Sequence, residues 1–390
     1  MTSGPGASGP GASGPGASGP LGIPVLEDLP DPGGRRVLVR ADLDLPSAAA
    51  APPSRLRRLQ QLEPTLRWLG ERGAVVTVCG HQGPLGEPGD PDEFAHTADS
   101  LRRLFPGVAV LPNLSEGDGS GPEPSWLATL VEEQDLYVND AFGWCSTPLV
   151  SIVGPPSLLP SAAGRRLQAD LELLGPFLDA PERPFVVVLG SRQPPDRLHG
   201  LQGMVLRADT VLVGGQMSLP FLQALGRQPP GEEPDEFIEE CRRAYGVSRE
   251  VLHAIHLPSD LVWERPDGSA VTAVGTVEVA GSIGDIGPRT SVDYAEVVRG
   301  AGSVLWLGSL GKVEDPRFSE GTLAVARALL AHPERAVLGG DALLDLLARH
   351  DALPARAGVL SATGSSAALL KEGDLPGLAA LRRGRRRPGG

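Results

Sequence analysis

The sequence predicts an α/β protein of two domains, each built on a doubly wound parallel sheet, and three observations predict it. Short β-branched runs alternate with helical patterns along most of the chain, as in successive βαβ units. The runs RRVLVRADL, AVVTVCG, LYVNDA, PFVVVLG, TVLVGG, SVLWLG and RAVLGG end in Gly or a polar loop, where open α/β sheets place ligands. With 390 residues, 41% of them hydrophobic, the chain can bury two substantial cores of Leu, Val and Ala.

Taken in chain order, the opening MTSGPGASGPGASGPGASGP is a five-residue repeat of small and breaker residues that buries no apolar surface. It predicts disorder over 1–20. Helical patterns then fall at 55–72, 97–105, 126–133, 164–178, 219–225, 235–245, 321–331 and 342–350, between the strand runs. The 164–178 segment, followed by APERP, reads as a hinge helix ending near Ala180. The division places one domain at 21–170, a second at 171–365, and a segment at 366–390 that returns toward the first and ends in the basic tail RRGRRRPGG. That tail reads as solvated.

Composition excludes several classes. No run of about 18 apolar residues occurs and no charged-then-apolar leader opens the chain, which predicts a cytoplasmic protein with no membrane contact. Cys79, Cys145 and Cys241 lie far apart without a CxxC pair, arguing against disulfides or a zinc site. A net charge of -13 argues against binding nucleic acid over the general surface. Of the 35 basic residues only Lys312 and Lys371 are lysines. Arg for Lys is therefore a change that a GC-rich coding sequence explains, whereas a neutral residue for Lys is not.

The segments VLVRADLDLP, YVNDAFG, PERPFVVVLG, DIGPRT, FSEGT and LPGLAAL follow one another in an order and spacing that resembles the phosphoglycerate kinase family over residues 37–381. The resemblance implies a phosphoglycerate kinase-like fold and reversible transfer of the γ-phosphoryl of Mg·ATP to the carboxylate of 3-phosphoglycerate, a step of glycolysis. It implies an acid-holding N-terminal domain, a nucleotide-holding C-terminal domain, Mg and ATP or ADP as cofactors, and a monomer. Such chemistry is mainly positioning and charge neutralisation, so it depends on Arg, Lys and backbone amides.

On the acid side the resemblance matches Asp42 to the aspartate that binds the substrate hydroxyl, and puts Asp44 where the family has Asn. Arg55 matches the arginine that stabilises the transferring group; without the resemblance it is only the first basic residue of an amphipathic helix. GHQGPL stands for SHLGRP, keeping His81 but placing Pro84 at the substrate arginine. A His in such a loop also has a purely structural reading. Two further family arginines fall on Ser115 and Thr147.

On the nucleotide side GSRQPPDR stands for GGAKVADK. Gly190 opens the loop, Gln193 replaces the first lysine, Asp196 the aspartate, and Arg197 the second lysine as a catalytic candidate. Arg192 either supplies the lost charge or faces solvent. Gly214 and Gly215 match the GGGM turn; Gly308 and Glu314 lie in SLGKVED and its approach, Glu314 at the ribose-binding glutamate, with Lys312 either near the phosphates or solvated. Gly339, Gly340 and Asp341 form a strand-to-helix turn, Asp341 near Mg·nucleotide and no residue a direct metal ligand. Thr363 and Ser365 stand where the family has glycines, crowding a phosphate or donating to it.

Three arginines and one lysine are thus replaced together. A phosphoglycerate kinase-like protein with weak or lost activity on phosphoglycerate is the leading expectation. The alternatives are a non-catalytic scaffold binding nucleotide or a partner, and a phosphotransferase for a different carboxylic acid.

Overall fold

The computed structural model describes residues 19–47, 53–87, 89–118, 124–190, 201–227, 235–250, 254–274, 281–331 and 336–384. The opening repeat up to 18, the basic tail from 385 and the loop 191–200 lie outside these, and with that loop Arg192, Gln193, Asp196 and Arg197.

Two parallel sheets carry the molecule, as expected. The first contains β1 (Arg36–Arg40), β2 (Val75–Cys79), β3 (Ala109–Val110), β4 (Leu136–Asn139) and β5 (Ser161–Ala163) in the order β3-β2-β1-β4-β5. The second contains β6 (Phe185–Leu189), β7 (Thr210–Val213) and β8 (Ala254–His256), and later β12 (Ser303–Leu307), β13 (Ala336–Gly339) and β14 (Gly358–Val359), in the order β14-β13-β12-β6-β7-β8. Helices cover both faces, so the interiors of the central strands are apolar. Alternate side chains enter different cores: Val37 and Val39 pack with Leu136 and Val138, whereas Leu38 packs with Tyr137.

A third sheet was not expected. Strands β9 (Asp260–Glu264), β10 (Ala270–Val274) and β11 (Ser282–Ile286) pair antiparallel in the order β10-β9-β11 and bury Leu261, Trp263 and Ile283 against Leu222.

The helix expected over 55–72 is two helices, Pro53–Gln60 and Glu63–Glu71. Pro64 is the reason: it lacks an N–H and its ring crowds the carbonyl four residues back, but it fits the first turn of a new helix. The arginines 55, 57 and 58 therefore sit on a short helix of their own.

Helix Arg165–Asp179 runs from the first sheet to the second. Asp140 accepts the amides of Arg166 and Leu167 at 2.9 and 3.1 Å and caps its start, and Gly164 leaves room for that carboxylate. In mid-helix, buried Asp170 accepts the amide of Ser361 at 2.8 Å and its hydroxyl, tying the helix to the loop that follows β14. The chain ends with helix Pro376–Gly384 packed on residues 150–157 of the first half, where Gly377 donates to the Cys145 carbonyl at 3.0 Å.

Candidate active-site cleft

Parallel register fixes where chemistry can occur. Arg40 at the end of β1 pairs with Cys79 and Asn139, and Leu307 at the end of β12 pairs with Leu189 and Gly339. The loops leaving these ends line a cavity of about 910 Å³ between the two sheets' halves. From the first half come Asp42, Asp44, Arg58, Pro84 and Trp144; from the second come Gly308, Gly340, Asp341, Thr363 and Ser365.

Asp42 and Asp44 both face the cavity, but their polar atoms are already engaged. Asp42 Oδ2 accepts Arg58 Nη2 at 2.9 Å, and Oδ1 accepts the indole Nε1 of Trp144 at 3.2 Å. Burial alone would raise the Asp42 carboxyl; the guanidiniums of Arg58 and Arg40 outweigh it and hold the group below its ordinary range. Asp44 accepts the amide of Gly83 at 3.1 Å through Oδ1, and its carbonyl accepts Arg58 Nη1 at 2.7 Å. Asp44 thus ties down the loop that carries Pro84, through an oxygen that an Asn would also offer. Asp42 in turn raises the Arg58 guanidinium above its usual value.

Arg55 does not reach the cavity. It is 8% exposed and turned inward, donating to the Pro46 carbonyl and to Thr97 Oγ1 at 2.7 Å, with Glu93 at 3.7 Å. One helical turn on, it is Arg58 that lines the cavity, beside Asp42. Spacing could not separate them, because residues three apart share a helix face. The choice is made by Glu93 and Thr97, which belong to a different helix, Pro91–Leu104.

His81 is fully buried behind the cavity wall. Its Nδ1 lies 2.8 Å from Arg40 Nη2, and since a guanidinium only donates, Nδ1 accepts and the ring proton sits on Nε2. Arg40 also donates to Ser151 Oγ at 2.8 Å, and Ser151 donates to Asp118 through N at 2.8 Å and Oγ at 2.5 Å. Trp144 lies edge-on to His81, ring centroids 4.2 Å apart. This arrangement supports the wall, in keeping with the structural reading of His81.

On the other side two helix starts converge, Asp341–Arg349 after Gly340 and Thr363–Glu372. Their first amides lack intrahelical partners and suit an anion. Gly340 has φ +115, and a Cβ there would lie 3.2 Å from Gly308 Cα. Gly190 is packed so that a Cβ would fall 2.0 Å from the Ser309 carbonyl oxygen. Gly339 ends β13 beneath Thr363, while Gly214 and Gly215 pack on Leu310, outside the cavity lining. Ser365 is used within the protein: its hydroxyl donates to the Gly143 carbonyl at 2.8 Å and lies 3.1 Å from Ser146 Oγ.

Glu314, matched to a nucleotide contact, and Lys312 both stand outside the cavity lining. Glu314 is exposed and outside the cavity. Lys312 is neither near the phosphates' expected place nor solvated alone: its Nζ donates to Glu264 Oε2 at 2.9 Å and Ser282 Oγ at 2.6 Å, fixing the small antiparallel sheet. Asp341 does face the cavity, bonded to Arg57 Nη2 at 2.8 Å.

Comparison with known proteins decides the family. The family model described as Phosphoglycerate kinase matches residues 107–372. A phosphoglycerate kinase of Desulforudis audaxviator is 31% identical over 381 residues, covering 90% of this chain and 97% of that protein. The chain belongs to the phosphoglycerate kinase family. A phosphoglycerate kinase of Salinispora arenicola is 34% identical over 392 residues, with 89% of this chain and 96% of that protein covered. Among solved structures, phosphoglycerate kinase from Pyrococcus horikoshii superposes with a TM-score of 0.76 at 24% identity, covering 93% and 99% of the two chains. That from Coxiella burnetii gives 0.72 at 23%, covering 94% and 100%. These likenesses bear out the two-domain fold.

The described lining of this cleft is mostly acidic in its charged groups. Among the described residues lining it, Asp42, Asp44, Asp341, Glu372 and Asp374 are acidic and Arg58 alone is basic. Asp374 is answered by Arg382 at 2.7 Å, whose guanidinium is not part of the lining. Arg57, Arg58 and Trp144 were not singled out as site residues from sequence. The signal for the first two was the cluster of three arginines in RLRR; for Trp144 it was a large aromatic directly after the YVNDAFG motif.

Proposed function

We propose that this protein keeps the nucleotide side of the phosphoglycerate kinase plan and that its phosphoryl transfer between Mg·ATP and 3-phosphoglycerate is weak or lost. One observation carries the reading: the only cation among the described lining residues, Arg58, is committed to Asp42 and Asp44. Both family substrates are polyanions, and an acid subsite in which Pro84, Leu85 and Thr147 stand with Trp144 offers no guanidinium fork to a phosphate. A charge-assisted contact contributes about 1.5–3 kcal/mol, so the joint loss of three removes most of the affinity for phosphoglycerate.

The nucleotide half is better supported. Two helix starts and the turn at Gly340 present amides where phosphates would lie, and Asp341 stands beside them. The residues present fit Mg·nucleotide only in part, because Asp341 must leave Arg57 to approach the metal. Bound Mg·ATP would supply the transferable phosphoryl group.

Calorimetric titration of the full chain tests the reading: ADP with Mg binds, and 3-phosphoglycerate gives no resolved heat at concentrations where active family members would be saturated. Binding of 3-phosphoglycerate as tight as that of ADP contradicts it. A second reading has its own observation. The corner of Pro84, Leu85, Thr147 and Trp144 suits a carboxylic acid whose tail is uncharged, with its carboxylate directed at Arg58. ADP release from Mg·ATP in the presence of unphosphorylated hydroxy acids, absent with 3-phosphoglycerate, would select that reading.

A further inference from the structure

A cleft between hinged domains ordinarily closes because a ligand bridges it. Here side chains of the protein itself bridge it. Helix Pro53–Gln60 stands on the first half and helix Asp341–Arg349 follows β13 of the second. Arg57 Nη2 reaches Asp341 Oδ1 at 2.8 Å, and its Nη1 reaches Asp345 Oδ1 at 2.5 Å. The two carboxylates are four residues apart on one helix face, so a single planar guanidinium spans both. Arg58 adds a longer approach, Nε to Asp341 Oδ2 at 3.9 Å.

The pair is partly shielded from water, with Arg57 27% and Asp345 13% exposed. That shielding distinguishes it from an isolated surface ion pair, which contributes little. Its place matters as well. Asp341 lines the cavity directly beside the Gly340 turn, so any phosphate arriving there meets a carboxylate already bound to Arg57.

We propose that Arg57, Asp341 and Asp345 form an autoinhibitory clasp. In the ligand-free protein it holds the two domains together over the cavity, and a polyphosphate must displace it before seating at the helix starts. A phosphate presents oxygens to a guanidinium in the same forked geometry as a carboxylate, so the exchange is chemically like for like. The clasp concerns domain closure and stands whether or not phosphoryl transfer survives.

Small-angle scattering of the full chain without ligand, at low and high salt, reads the clasp directly. The wild type is expected to be compact at low salt and to expand as salt screens the pair. Arg57→Ala is expected to be expanded already at low salt, and Asp345→Asn, which keeps the Arg57–Asp341 bond, to expand at lower salt than the wild type. The double variant should be no more expanded than Arg57→Ala alone, because that substitution already removes the bonds to both carboxylates. Arg57→Gln keeps an unbranched helix-forming stem while removing the charge from both bonds, and carries the test should Arg57→Ala fail to fold.

In parallel, ADP titration should show tighter apparent binding to Asp345→Asn, about 3- to 10-fold, as the closed population is released. Arg57 variants with the wild-type radius of gyration overturn the clasp. An expanded Asp345→Asn variant that binds ADP no more tightly overturns its autoinhibitory role. The scattering result is independent of nucleotide binding, so failure of the proposed function is read separately.

Discussion

At position 58 one guanidinium meets Asp42 through Nη2, the Asp44 carbonyl through Nη1 and, more distantly, Asp341 through Nε. Among the described lining residues it is the one cation able to address a carboxylate in the cavity, and it does so only by losing these bonds. Around it the residues at 84, 115 and 147 are uncharged, and Trp144 closes over His81. If the missing arginines are what disables the acid side, restoring them should restore affinity. Pro84→Arg and Thr147→Arg both project from cavity-lining positions. Each is expected to strengthen 3-phosphoglycerate binding about 10-fold or more, measured calorimetrically. Ser115 is a poorer site for the same experiment, being buried with its hydroxyl accepting the Gly89 amide at 3.2 Å.

At the scale of the element, the hinge helix Arg165–Asp179 begins on a buried carboxylate. Burial pushes Asp140 up to about 6, against the restraining amides of Leu167 and Arg166. Because its folded pKa lies above the unfolded value, its contribution is complete below about pH 3.9 and is lost as pH rises through about 6. Asp140→Asn keeps an oxygen for both amides and removes the titration. Its melting temperature should match or exceed that of the wild type at pH 8, and the gap should shrink toward pH 5. Parallel pH profiles for the two proteins would show that Asp140 does not titrate in this window.

Elements also show what sequence could and could not convey. PFVVVLG and SVLWLG were legible because strands buried on both faces leave unbroken apolar runs. The two-residue edge strands at Ala109 and Gly358 leave no such trace, and the Ala-rich β10 is half exposed along its length. Asp42, Gly340 and Asp341 were legible as site positions through their motifs and do line the cavity. Arg58 was not, because the choice between it and Arg55 is made by Glu93 and Thr97 across a tertiary contact. Nor could any local pattern show that Arg57 would pair with residues 284 and 288 positions away.

Over the whole molecule the phosphoglycerate kinase scaffold is retained, from the two parallel sheets to the terminal helix returning across the hinge. Its cleft carries an excess of acidic groups among the described lining residues and side-chain ties between the two halves. Ser365 binds Gly143 and Arg57 binds Asp341 and Asp345 across the cleft, and Ser361 binds Asp170 on the connecting helix. Removing one preorganised donor usually lowers turnover about 10²- to 10³-fold, and several lost together act as a unit. Coupled-assay turnover of the purified full-length protein with saturating Mg·ATP and 3-phosphoglycerate tests this most directly. The charge balance predicts a rate at least about 10³-fold below the ordinary enzyme value of about 10 s⁻¹. Turnover near that ordinary value would contradict it.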